Sequence, residues 1–145
     1  MVFEHSLLAF KQDIEHRGLL DWLEVHTSFM RPLHRYYGTL EVNHESLLFS
    51  GTDERVGSSY VLVIKLSKIN CIHLGYDSTF MRIEDRSLGI FHFVPLRIDF
   101  MMEGKEESIY VFPNYSGLIR HSDNQKLFDE LNTIRGLQTP LTFPE

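Results

Sequence analysis

Eight histidines, one cysteine and the neighbouring carboxylates Glu84-Asp85 and Glu106-Glu107 are among the residues here whose types could do chemistry. A locally built metal site needs ligands two to four residues apart. His5, His16, His26, His34, His44, His73, His92 and His121 contain no such pair, and no His-Glu-x-x-His occurs, so solvated or core histidines are expected. Cys71 and His73 stand two apart on an expected strand and leave the same face. Same-face neighbours are roughly 7 Å apart along the backbone, whereas a nucleophile and its base must approach to about 3 Å. A free cysteine usually packs as a small hydrophobe, so Cys71 is expected to be buried. Ile72, Leu74 and Tyr76 make an equally good inner face on the same stretch. Glu84-Asp85 and Glu106-Glu107 are adjacent and point apart in helix or strand, unlike a glycosidase pair. No P-loop, no dinucleotide fingerprint and no Gly-x-Ser-x-Gly occurs. A non-enzymatic protein without metal or cofactor is the expectation.

The segment from Tyr76 to Gly89 has a different character. It sets Tyr76, Asp77, Arg82 and Arg86 around Phe80 and Met81, the mix of charge and bulk found where proteins dock. One reading makes these six residues a docking loop. The other has the apolar residues plug the mouth of a barrel while the arginines pair with Asp77, Glu84 and Asp85.

At 145 residues the chain fits one domain. Fourteen basic residues against twenty acidic ones give a formal charge of −6, which argues against nucleic acid as a partner. No apolar run approaches the roughly 20 residues needed to span a bilayer, so no transmembrane segment is expected. The start Met1-Val2-Phe3-Glu4-His5 does not resemble a secretory signal. A lone cysteine fits a reducing compartment, so a cytoplasmic location is expected.

These residues need elements to hold them. Phe3, Leu7, Phe10 and Ile14 follow steps of four, three and four, which predicts a helix ending near Arg17-Gly18. Leu19 to Val25 predicts a second, shorter helix. Residues 1–34 are therefore expected to form a helical extension. From Tyr36 the period is two, with strands expected over 36–42, 46–50, 60–66, 69–76, 90–94, 96–100 and 108–112. Ser122-Asp123-Asn124-Gln125 has the form of a capping box, in which Ser122 and Gln125 satisfy each other's backbone donors. The stripe Leu127, Phe128, Leu131 and Ile134 predicts a helix ending at Arg135-Gly136, and 137–145 reads as a loose tail.

The run Gly38-Thr39-Leu40-Glu41-Val42-Asn43-His44-Glu45-Ser46-Leu47-Leu48-Phe49-Ser50 resembles the opening hairpin of the pleckstrin-homology superfold, in its GRAM-like and bacterial PH-like branch. The helix expected from Leu127 to Ile134 resembles that fold's capping helix. The resemblance covers residues 35–136 and implies a PH-like, partly open β-barrel of about seven antiparallel strands, a β-rich α+β fold. It implies a non-enzymatic module that binds lipid headgroups, peptides or other subunits, and the expectation here is one that works through protein contacts. Phosphoinositide-binding members carry cations in the first hairpin loop. Asn43-His44-Glu45 has no Lys or Arg, so phosphoinositide binding at that site is not expected. The alternative is a small β-barrel whose aromatic interior holds an apolar ligand. Unplaced bulk at Phe29, Met30, Tyr36 and Tyr37 suggests a homodimer with the first 34 residues in its interface.

Overall fold

The computed structural model describes residues 1–15, 34–79, 95–116 and 122–138. Alternating residues become strands over β2 (Tyr36–Val42), β3 (Ser46–Asp53), β4 (Ser58–Lys65), β5 (Ile69–Leu74), β6 (Leu96–Met102) and β7 (Lys105–Phe112). A strand over residues 90–94 and a helix over 19–25 would lie outside the described residues. With β1 (Val2–Phe10), the described strands pair antiparallel throughout, in the spatial order β4-β3-β2-β1-β7-β6-β5. The sheet curls into an open half-barrel with β4 and β5 at its two ends, linked by a 3-10 turn at Leu66–Lys68.

The first strand, β1, corrects the expected N-terminal helix. Val2–Phe10 is a central strand between β2 and β7, followed by a short helix α1 (Lys11–Glu15). Its register slips between Phe3 and Ser6, where His5 takes a φ of 54°. Such a bulge reverses the facing of side chains beyond it. Phe3, Leu8 and Phe10 consequently join the main core, while Leu7 and Ala9 join a second cluster with Ile14, Tyr110 and Phe112. A strand buried on both faces shows no alternation, and one bulge made its apolar residues mimic helical spacing. Residues 2–10 belong to the same sheet as the rest, and most of the expected extension, residues 16–33, lies outside the described residues. The stripe Phe3, Leu7, Phe10 and Ile14 is spent inside the fold.

The C-terminal helix α2 (Asn124–Gln138) packs Leu127, Leu131 and Ile134 into the main core, with Phe128 only partly buried. It runs past Gly136, where a stop was expected. Its entry also differs from the expected capping box. Ser122 Oγ bonds Asn124 Oδ1, and Gln125 donates to Asp129 rather than reaching back. Asn124 Nδ2 instead donates to the Val111 carbonyl at 3.0 Å, tying the helix start to β7.

Phe49 and Phe100 are wholly buried in the main core. Glu103 and Gly104 both take positive φ between Met102 and Lys105, the two-residue turn that matches strand twist. Cys71, expected to be packed, is exposed, while Ile72 and Leu74 pack against the core. The alternation on β5 thus took the other of its two registers.

Candidate functional site

Two long connections leave this sheet, one between β1 and β2 and one between β5 and β6. Each is closed at its base by an aspartate near its start and an arginine at its return.

The second connection contains the expected docking loop. Beyond β5, Gly75 donates from its backbone N to the Pro95 carbonyl at 3.0 Å, which brings the two ends together. Asp77 Oδ1 accepts from the Thr79 backbone N–H at 2.9 Å. Its Oδ2 accepts from Arg97 Nη1 at 2.9 Å and from the Tyr110 hydroxyl at 2.8 Å. Arg97 and Tyr110 are direct partners across β6 and β7, so the sheet itself sets their spacing. One register step along, Ser108 Oγ donates to Asp99 Oδ1 at 2.6 Å, and Asp99 lies 3.3 Å from Arg97 Nε. That last contact is an ion pair without the alignment of a hydrogen bond.

These groups floor a polar cleft of ≈ 260 Å³, walled by Asp77 to Thr79 and by Lys11 and Glu106. Burial pushes the Tyr110 hydroxyl well above the ordinary tyrosine range, and its bond to Asp77 adds to the effect. Burial opposes the charge on Arg97, but Asp77 and Asp99 outweigh it and hold the guanidinium protonated. Tyr110 is therefore a fixed donor rather than a base at neutral pH. The cluster holds the chain segment from Tyr76 to Thr79 against β6 and β7.

The first connection is closed in the same manner. Arg35 donates through Nη1 to Asp13 Oδ1 at 2.9 Å and through Nη2 to Asp53 Oδ2 at 2.8 Å. Asp13 Oδ2 accepts from the Phe10 backbone N–H at 3.0 Å, fixing the start of α1. Arg35 also lies 5.2 Å from the centre of the Tyr36 ring. The Arg35 hydrogen bonds hold Asp53 below the usual carboxylate range, against the pull of burial. The same bonds raise the Arg35 pKa further.

Of the six expected site residues, Tyr76 packs against the second apolar cluster and Asp77 is the centre of the polar one. Phe80, Met81, Arg82 and Arg86 lie outside the described residues. Among the described residues, the arginine that pairs with Asp77 is Arg97 of β6. Sequence reasoning missed Asp13, Arg35 and Asp53, because partners 22 and 18 residues apart leave no local signal.

The hairpin Asn43–Glu45 joins β2 and β3. Its lack of cations carries no information about the connection between β1 and β2. Among the described residues, no three of His, Cys, Asp and Glu gather as a metal site, and no helix is long and apolar enough to cross a membrane. No protein-family model matches the chain, and no curated protein matches it.

Proposed function

We propose that this chain is a cytoplasmic, non-catalytic binding module of PH-like, GRAM-like type that acts through protein contacts. The connection between β5 and β6 is its contact loop. The observation that carries this reading is the Asp77–Arg97–Tyr110 cluster. It secures the base of a loop whose sequence sets Phe80 and Met81 among charges. A loop that only linked two strands would need no such anchor, whereas a recognition loop gains affinity when its base is held in place before binding. The sheet order, its open ends and the helix packed on its core support the PH-like part of the reading.

Cross-linked complexes captured from cells by the full chain and by a Phe80→Ser/Met81→Ser variant test this. Polypeptides lost from the variant, at unchanged melting temperature, support the reading. Identical complexes from both chains, or none from either, refute it.

A further inference from the structure

The two edges of the sheet differ in how they are protected. β5 is short, its register with β6 slips between Ile69 and Cys71, and Arg135 of α2 donates to the Ile69 carbonyl at 3.3 Å. Slippage, brevity and a covering charge are the usual means of blunting an edge. β4 has none of them. All eight of its residues pair with β3 without a slip, it contains no proline, and its single charge is Lys65. Val61 and Val63 stand on its solvent face with 62% and 57% of their surface exposed. Among the described residues no strand lies beyond it.

We propose that β4 is a self-pairing edge, joining two copies of the chain antiparallel about a two-fold axis through Leu62. A second copy is the occupant because the strand is complementary to itself in one register. Opposed residues in an antiparallel pair share a face, so the dyad must pass through a residue rather than between two. Centred on Leu62, Val61 of one copy faces Val63 of the other, twice over, and Lys65 faces Ser59. Each apolar side chain thereby meets an apolar partner and no charge meets its like. Centring on Val63 would set Val61 against Lys65, and centring on Val61 would set Val63 against Ser59. In a chain of net charge −6, this strand carries no acidic residue, so two copies meet here without the repulsion they face elsewhere. The inference stands on strand geometry and does not depend on the binding-module reading.

Light scattering on the full chain at micromolar concentration should give twice the single-chain mass of 17.0 kDa. Val61→Lys/Val63→Lys sets like charges opposite one another across the dyad and should return the single-chain mass. Val61→Glu/Val63→Lys sets opposite charges face to face in the same register and should restore the doubled mass. Both positions are solvent-exposed, so circular dichroism and melting temperature should stay near those of the parent. A single-chain mass for the parent overturns the proposal. So does a dimer that survives the double lysine change, or failure of the charge-swapped variant to recover it.

Discussion

Tyr36 and Tyr60 stack with ring centres 4.0 Å apart although their strands, β2 and β4, do not pair with each other. The strand between them carries Gly51, which lies opposite both Gly38 and Tyr60. Two facing glycines leave the interior open at this point, so rings from strands two apart can meet. The backbones approach correspondingly closely: a Cβ built on Gly51 would lie 2.2 Å from the Tyr37 carbonyl oxygen and 2.6 Å from the Gly38 Cα. Gly51→Ala should therefore destabilise the fold by about 3 kcal/mol or more, at the upper end for overpacking, since the clash is with main chain. Urea denaturation measures it, and a loss within experimental error would mean that the two strands are further apart than described.

The Arg35 cluster makes stability depend on pH in a defined direction. The Asp53 carboxyl has a lower pKa folded than unfolded, because Arg35 bonds its charged form. Its contribution is complete above the ordinary aspartate value of about 4 and is lost as pH falls through the lower folded value. Asp53→Asn should cost about 2 kcal/mol at neutral pH, less than a fully buried pair, because a quarter of the Arg35 side chain reaches water. That difference should shrink as melts are repeated towards pH of about 3. A gap that stayed constant over this range would remove the ion pair from the account.

Helix α2 supplies a pair of opposite expectations. Leu131 is wholly buried, so Leu131→Ala should cost about 2–5 kcal/mol. Gly136 lies within the helix, and nothing stands within 4 Å of a Cβ placed there. Gly136→Ala should stabilise by about 0.5–1 kcal/mol, because alanine loses less backbone freedom on folding. Thermal melts of the two single variants should shift in opposite directions.

Tyr110→Phe removes one donor from Asp77 and leaves the Arg97 bond in place. A cost of about 1–2 kcal/mol is expected, since the strand position of the ring is unchanged. Amide exchange should quicken at Thr79, whose N–H is held by the same carboxylate. Unchanged exchange there would mean that Tyr110 does not help hold the loop base.

Strands β2 to β6 and helix α2 were legible because each hides one face and shows the other, which writes its period into the sequence. β7 is buried on both faces from Ile109 to Phe112 and was legible from its β-branched and aromatic run. β1 was not, because Leu7 and Leu8 are both fully buried on opposite faces, and the bulge at His5 breaks the remaining rhythm. Misreading that strand as a helix also set it in an extension outside the sheet, where it is a central strand. At the site, the composition of the Tyr76 to Arg86 stretch drew attention to the connection between β5 and β6, but not to what anchors its base. Asp77 meets Arg97 and Tyr110 only through the pairing of β6 with β7, a relation between distant segments. Cys71 went wrong for a smaller reason: two alternations fitted β5 equally well, and local sequence did not choose between them.

The central claim is that the anchored connection between β5 and β6 is where another polypeptide binds. Photo-cross-linking in living cells tests it most directly, with a benzophenone side chain placed at Met81 and, as a control, at the exposed turn residue Val56. The account predicts discrete protein adducts from position 81 and none from position 56. No adduct from position 81, or the same adducts from both positions, would contradict it.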